Sequence, residues 1–245
     1  MVAADPVAAA LPSAPVGPVR RRLATLFVDI AGSTSLLVHH PPEVVLGVIQ
    51  CFMGLVAEVA FAHAGNVKDY EGDGALLYFD SAGDAARAAL DIHAGLGQGH
   101  CETGCGGGPG ILARMSLAVG DVVVGTVGPP RRTGLALVGP SVNIGSWLLK
   151  HIDPGEIIAT GEIVDALRLD RPDLAAMFRL RDREFSVPGA DGLGVSTYVL
   201  GQGGPTDRRD VKDDWLRCLA RHGDGPTWVF GDTLGEPAAA EGEAP

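Results

Sequence analysis

The sequence is poor in cysteine, in positive charge and in long apolar runs, and each shortage excludes a class of protein. Four cysteines among 245 residues are too few for the disulfide framework of a secreted domain, so we expect reduced thiols and a cytoplasmic location. The 19 lysines and arginines against 30 aspartates and glutamates leave a net charge of −11, which argues against nucleic-acid binding. No uninterrupted apolar run approaches the roughly 20 residues that a membrane-spanning helix needs, so no membrane span is expected.

The chain does contain a hydrophobic fraction of 46%, which is enough for one packed domain. We place this domain at residues 20–200, where apolar and polar residues alternate regularly. Residues 1–19 are rich in proline and alanine and predict a flexible leader. Residues 201–245 are rich in glycine, proline and acidic residues and predict a tail, part of which could pack on the domain.

The first half of the domain predicts one strand, one helix and one hairpin. An apolar run at residues 23–30 indicates a buried strand, and apolar residues every three or four positions over 44–59 indicate an amphipathic helix. Two β-rich runs then flank the letters EGDG, which predicts a hairpin with Asp73 at its tip.

The second half continues this alternation and sets the predicted fold. An alanine-rich helix around residues 82–95 is followed by two predicted strands around a Gly-Asp turn in 115–128. A helix from Ser141 to about His151 and a strand at 156–160 complete the pattern. The order β-α-β-β-α-β matches an α/β fold, an α+β sandwich with a ferredoxin-like core and added strands.

Two aspartates are the main candidates for chemistry. Asp29 ends the first strand, and the predicted strand order makes that strand a neighbour of the hairpin that carries Asp73. Two close carboxylates repel unless a cation lies between them, and oxygen ligands suit Mg²⁺ or Mn²⁺ bound together with phosphates. We therefore predict a two-metal site for phosphoryl transfer. The alternative is that Asp29 caps a helix and Asp73 is an ordinary turn residue.

A possible phosphate cradle follows Asp29 directly. Gly32, Ser33 and Thr34 are small residues at a predicted helix start, where free backbone N–H groups and the helix dipole favour an anion. A cation site and an anion site would then lie side by side.

Three segments resemble the catalytic domain of class III nucleotidyl cyclases. They are FVDIAGSTSLL at residues 27–37, EGDGALLYF at 71–79 and VGPSVNIGSWLLK at 138–150, and the resemblance spans about residues 22–200. The strand GDVVVGTVG before the third segment also fits the pattern of this family.

The resemblance implies a catalytic arrangement as well as a fold. Asp29 and Asp73 would hold two metal ions with the carbonyl of Ile30 as a further ligand, and the cradle would bind phosphates. Asn143 would orient the ribose or the transition state. The substrate would be ATP or GTP, and each site would form between two chains of a head-to-tail homodimer, or of a heterodimer with another cyclase-like chain.

Several positions depart from the family pattern. The catalytic arginine of the family falls on Trp147, which carries no cation, and Lys150 is a possible substitute one turn further along the helix. The two base-recognition positions fall on Asp69 and Ala136. Lys68, one residue before Asp69, is expected on the opposite face of its strand.

Two functional hypotheses result. The first is a nucleotidyl cyclase that forms a 3′,5′-cyclic nucleotide and pyrophosphate by two-metal catalysis in intracellular signalling, with ATP favoured over GTP. The second is a degenerate cyclase-homology domain that binds a nucleotide or a partner and acts as a regulatory or heterodimerising module. The aspartate pair favours the first hypothesis, and Trp147 with Ala136 motivates the second.

Overall fold

The computed structural model describes residues 17–97, 112–187 and 194–200. The predicted leader and tail, residues 1–19 and 201–245, lie outside these ranges except for the three residues 17–19. The described elements are, in chain order, β1 (Val19–Ile30), α1 (Ser33–His39), α2 (Pro42–Ala62), β2 (Asn66–Glu71), β3 (Gly74–Phe79), α3 (Ala82–Gly97), β4 (Ala113–Val127), β5 (Gly134–Val138), α4 (Pro140–Leu149), β6 (Ile157–Thr160), α5 (Gly161–Asp170), α6 (Pro172–Ala175), β7 (Phe178–Ser186) and β8 (Gly194–Leu200).

The strands form one mixed sheet in the order β2-β3-β1-β4-β6-β8-β7, with β5 paired to the far end of β4. β1 is antiparallel to both of its neighbours, β3 and β4, whereas β4 and β6 are parallel. The order β2-β3-β1-β4 is that of a ferredoxin-like core. The predicted α+β fold is therefore confirmed, and β5 to β8 are the added strands.

The two faces of the sheet are covered unequally. Residues of β1 such as Leu26 and Val28 belong to the main core, which they share with α2, α3 and α5. On the other face α4 packs on β1 and β4, and Ser116 donates a hydrogen bond of 2.6 Å from Oγ to the carbonyl of Gly145. Because side chains alternate along a strand, Asp29 shares the α4 face with Phe27. The less covered face is thus the one on which the candidate residues lie.

The predicted turn at Gly120 is wrong. β4 runs without interruption from Ala113 to Val127, because its residues from Ala113 to Val124 pair continuously with β1. The glycine instead permits the close approach of α4, since a Cβ at this position would lie 2.9 Å from the Cβ of Ser141.

α2 is long and apolar enough, by length and composition, to cross a membrane, although glycine and charged residues interrupt its sequence. It spans 21 residues, and an 18-residue window within it has a mean hydropathy of 2.2 and is 39% buried within the fold. Its buried residues, including Phe52 and Val56, belong to the main core.

The same helix carries Cys51, which is disulfide-bonded. This differs from the reduced state that the low cysteine count predicted.

Candidate active site

The structure brings the carboxyl groups of Asp29 and Asp73 together at one end of the sheet. Asp29 is the register partner of Gly74, the first residue after the hairpin turn, and the amide of Ile30 donates to the carbonyl of Asp73 at 3.2 Å. The two carboxyl groups are close enough for the charge of Asp73 to raise the pKa of Asp29. Gly74 keeps this corner open, because a Cβ there would lie 3.6 Å from Oδ1 of Asp29 and 3.0 Å from the carbonyl of Val28.

The proximity of the two acids perturbs Asp29. The pKa of Asp29 is raised to about 6, first by burial and second by the negative charge of Asp73, whereas Arg114 acts in the opposite direction. Burial disfavours the ionised carboxylate because it replaces water with a less polar environment. A bound cation would relieve both causes, so this pair has the electrostatic character of a cation site.

Arg114 is a member of this site that the sequence patterns did not reveal. It lies directly opposite Asp29 in the β1–β4 pairing, and its guanidinium donates a hydrogen bond to Oδ2 of Asp29. Its Nε is buried and has no hydrogen-bond partner within the described part of the chain. The available signal was a charged residue at the start of the apolar run ARMSLAV, where a partner of opposite charge is needed.

The donor set fits a small, hard cation. Asp29 and Asp73 offer carboxylate oxygens, and the carbonyl of Ile30 lies next to them along the chain. Among residues 17–97, 112–187 and 194–200, no group of three or more histidine, cysteine or acidic side chains surrounds a common point. Mg²⁺ keeps several waters and takes one or two carboxylates together with substrate phosphates, so two aspartates are sufficient for it.

The predicted phosphate cradle forms the start of α1. Gly32 precedes this helix with a φ of 82°, a left-handed conformation that favours glycine, and Ser33 is the first helical residue. The amide of Ala31 donates to the carbonyl of Leu112 at 2.8 Å, which fixes the turn against the neighbouring chain segment. No side chain caps the first amides of α1, and Thr34 is exposed beside them.

Asn143 lies apart from the aspartates within one chain. Gly145 faces the sheet, where a Cβ would lie 3.0 Å from the ring of Phe27, and residues two apart on a helix point to nearly opposite sides. Asn143 is accordingly exposed on the outer side of α4. Lys150 is exposed just beyond the end of α4 and makes no ion pair with the residues that the structure describes.

Trp147 packs inside its own chain. Its ring stacks on that of His151, with centroids 4.0 Å apart, and meets the ring of Phe185 edge-on at 4.9 Å. His151 Nδ1 also bonds to the carbonyl of Trp147 at 2.9 Å. The residue at the position of the family arginine is therefore part of an aromatic cluster that joins α4 to β7.

The two base-recognition positions are on different strands. Asp69 is an exposed residue of β2, where its carboxylate accepts from Lys68 Nζ at 3.0 Å and from the amide of Tyr70 at 3.0 Å. Ala136 lies on β5, opposite Gly125. The expectation that Lys68 points away from Asp69 is wrong, because a β-bulge between Val67 and Asp69 interrupts the alternation and leaves the lysine ion-paired with its neighbour.

Known proteins resemble this chain in both sequence and structure, although no family model matches it. An uncharacterized protein of Mycobacterium tuberculosis is 31% identical over 163 residues, which are 62% of this chain and 28% of that protein. Adenylate cyclase 1 of Rhizobium meliloti is 27% identical over 154 residues, 59% of this chain and 23% of that enzyme. The crystal structure of the guanylyl cyclase Cya2 has a TM-score of 0.62 at 26% identity, with 78% of this chain and 98% of that one covered.

These comparisons identify the class of domain. The described chain has the fold of class III adenylyl and guanylyl cyclase catalytic domains, which confirms the resemblance predicted from the three motifs. In fold and in part of its sequence it is similar to nucleotidyl cyclase domains. The chain covers only about a quarter of the length of the curated relatives it matches, 28% and 23%.

Proposed function

We propose that this domain is a class III-like nucleotidyl cyclase. It would convert a nucleoside triphosphate, ATP in preference to GTP, to a 3′,5′-cyclic nucleotide and pyrophosphate in intracellular signalling. One observation supports the proposal most directly: the pairing of β1 with the hairpin holds Asp29 and Asp73 close together, beside Arg114, at the end of a buried strand. A domain kept only for its shape has no need of two acids whose proximity is unfavourable.

Asp29, Asp73 and the carbonyl of Ile30 would hold two Mg²⁺ or Mn²⁺ ions. Such ions lower the pKa of a bound hydroxyl and stabilise charge on transferring phosphate oxygens. The cradle of Gly32, Ser33 and Thr34 would orient the phosphates through backbone N–H groups. These groups supply positioning and electrostatic stabilisation, which account for most of the catalysis of phosphoryl transfer.

Arg114 fits a second role in the same site. Its guanidinium forms an ion pair with Asp29 and so balances the negative charge of that carboxylate. If a cation took over that carboxylate, the guanidinium would be free to bond a phosphate oxygen, a partner to which arginine is well suited. Arg114 would then supply part of the positive charge that Trp147 cannot.

The position of Asn143 supports a site shared between two chains. Asn143 is exposed on the side of α4 that points away from the sheet carrying the aspartates of its own chain, so in this proposal a second chain would present it to them. The hairpin of β4 and β5 exposes Val127 and Val138, with 58% and 64% of their surface accessible, which a dimer would cover. We propose a head-to-tail homodimer; a heterodimer with a cyclase-like chain that supplies the arginine is the alternative.

A second function is favoured by the aromatic cluster. Trp147 is held against His151 and Phe185, so the position of the family arginine is used for packing. A degenerate domain that binds nucleotide or a partner without turnover would have this feature.

Mass spectrometry can separate the two functions. Purified protein is incubated with Mn²⁺ and either ATP or GTP, and cyclic nucleotide and pyrophosphate are measured beside the Asp73→Ala protein and the exposed control Asp170→Ala. We expect product from wild type and from the control, and none from Asp73→Ala. Manganese-dependent nucleotide binding without product would favour the degenerate domain, and unchanged product from Asp73→Ala would refute the metal assignment.

A further inference from the structure

A cavity of about 480 Å³ lies at the end of the sheet opposite to the aspartates. Its wall is formed by the start of β1, the middle of β4 and the first turns of α4 and α5. Arg22 belongs to this wall and is seven residues from Asp29 along β1, about 23 Å in an extended strand. The cavity is therefore separate from the candidate active site.

The cavity exists because one edge of β4 is incompletely paired. β6 pairs with Met115 to Leu117 and β5 pairs with Val123 to Val127 along this edge. Between them, residues 118–122 have no strand partner on that side among the strands that the structure describes. The loop into α4 and the start of α5 border this gap.

Two helices begin at the cavity. α4 starts at Pro140 and α5 at Gly161, each is ten residues long, and neither N-cap residue, Gly139 or Thr160, makes a side-chain capping bond. Pro140 carries no N–H and the amide of Val142 donates to the carbonyl of Gly139 at 3.2 Å, so the start of α5 is the better donor site of the two. The first amides of a helix lack intrahelical acceptors and carry partial positive charge, so α5 presents hydrogen-bond donors suited to an anion.

Two buried hydroxyl groups in the same wall lack partners. Ser141 is 7% exposed and Thr160 is 2% exposed, and neither hydroxyl has a hydrogen-bond partner within the described ranges. Ser141 Oγ lies 3.0 Å from the position that a Cβ of Gly120 would take, so it borders the open stretch of β4. Buried hydroxyls are nearly always hydrogen-bonded, and a ligand oxygen would supply the missing partner for both.

The charged side chains around the cavity include both signs. Arg20 lies 3.9 Å from Asp121, which is the register partner of Arg22; Arg22 itself forms no ion pair within the part of the chain that the structure describes. Glu162 also lines the cavity. An arginine without a partner suits a phosphate, and the two carboxylates suit hydroxyl or amino groups elsewhere on the same ligand.

We propose that this cavity binds a phosphate monoester, with Ser141 and Thr160 bonding the phosphate from the α4 side of the sheet and Arg22 reaching it from the opposite face, across the open edge of β4. The volume is within the range of small-molecule sites and exceeds what a phosphate alone fills. The site is independent of the proposed cyclase activity. Because Ser141 and Asn143 are two residues apart on α4, a bound ligand would contact the helix that presents Asn143.

Binding is tested by calorimetry and thermal melting with inorganic phosphate and with glycerol 3-phosphate, in a chelator and at constant ionic strength set by chloride. We expect saturable binding of both, tighter for glycerol 3-phosphate, and a higher Tm on binding. Arg22→Ala and Thr160→Val should each weaken binding roughly tenfold. If both probes bind with equal affinity, the ligand of the cavity is free phosphate and not a phosphate monoester.

Two controls keep the test decisive. Thr197→Val removes another buried hydroxyl without a described partner, in the register partner of Thr160, but this residue does not line the cavity and its loss should leave binding unchanged. Asp170→Ala, which changes an exposed residue outside the cavity, should also bind phosphate as wild type does. Full affinity in folded Arg22→Ala and Thr160→Val, an adventitious effect that chloride reproduces, or loss of binding in Asp170→Ala would each overturn the proposal.

Discussion

Two regions on the α4 side of the sheet, the aspartate pair at the end of β1 and the aromatic cluster between α4 and β7, differ in what their polar and aromatic groups contact. At the end of β1, Asp29 and Asp73 face each other across a short distance, and Arg114 compensates part of their charge. At the far end of α4, Trp147 is packed between His151 and Phe185. The first region keeps unfavourable charge that a ligand would relieve, whereas the second has satisfied its contacts within the chain.

This contrast predicts that the aspartate pair binds a ligand and that the aromatic cluster contributes only packing. Repulsion between like charges lowers the stability of the fold, so close carboxylates are expected mainly where they bind a ligand. An aromatic cluster adds stability and needs no ligand. The predictions below test whether each region behaves in this way, beginning with the largest expected effect.

Arg114→Met should have the largest effect on stability. Removing the guanidinium leaves two partly buried carboxylates without their cation, so the free energy of unfolding in chelator at neutral pH should fall by about 3 kcal/mol. Added Mg²⁺ should restore more stability to this variant than to wild type, because the ion takes the place of the arginine. Urea unfolding with and without Mg²⁺ measures both effects.

The exposed Arg179→Met is the matched control for this loss. It removes the same group from a surface strand residue and should change the free energy of unfolding by less than about 1 kcal/mol. Equal losses in the two variants would mean that Arg114 has no special role at the aspartates.

The pH dependence of stability should come next. The pKa of Asp29 is about 6 in the folded chain and 3.8 without the fold, so the folded state binds more protons between these values. Metal-free stability should therefore fall as the pH rises from about 4 to about 6 and stay low above it, by on the order of 2 kcal/mol. Asp29→Asn should remove this decline, as measured by urea unfolding across that range.

Mg²⁺ gives the complementary half of the pH experiment. Its stabilising effect on wild type should grow as Asp29 loses its proton and should be absent in Asp29→Asn. A wild-type stability that rises over the same pH interval in chelator would contradict the direction of the pKa shift.

The contrast also explains what could be read from the sequence. The proximity of Asp29 and Asp73 follows from strand order, which local hydrophobic patterns determine well. Arg114 was missed because its contact with Asp29 depends on the register between β1 and β4, which are distant along the chain. Gly120 resembled a turn because Gly-Asp is a local turn signal, and only the long pairing with β1 overrides it.

The site near β2 illustrates the same limit. Lys68 was assigned to the opposite face by simple alternation, and a β-bulge, which inserts one unpaired residue, reversed that assignment. Trp147 was identified as a departure, but its stacking on His151 required the three-dimensional path of α4.

Trp147→Arg should raise the rate of cyclic nucleotide formation about tenfold, since it returns a cation to a position where phosphate charge develops. Trp147→Met is the control, because it removes the same stacking without adding charge. Mass spectrometry of the product at saturating nucleotide compares the two variants with wild type. If Trp147→Arg forms cyclic nucleotide no faster than Trp147→Met, position 147 does not reach the substrate and the degenerate domain is favoured.

Asp69→Asn should have the smallest effect, on the choice of base. The carboxylate is exposed and already accepts from Lys68 and the amide of Tyr70, so its contact with a base competes with these bonds. Replacing it with an amide frees the lysine and changes the acceptor set, and the ratio of product from ATP to product from GTP should shift by about fivefold. Parallel assays of both nucleotides measure this ratio in wild type, in Asp69→Asn and in the exposed control Asp165→Asn.

A ratio that is identical in all three proteins would place base selection elsewhere and would leave Asp69 as a surface partner of Lys68. A shift in Asp69→Asn alone would mean that the nucleotide site includes the edge strand β2 as well as the two aspartates.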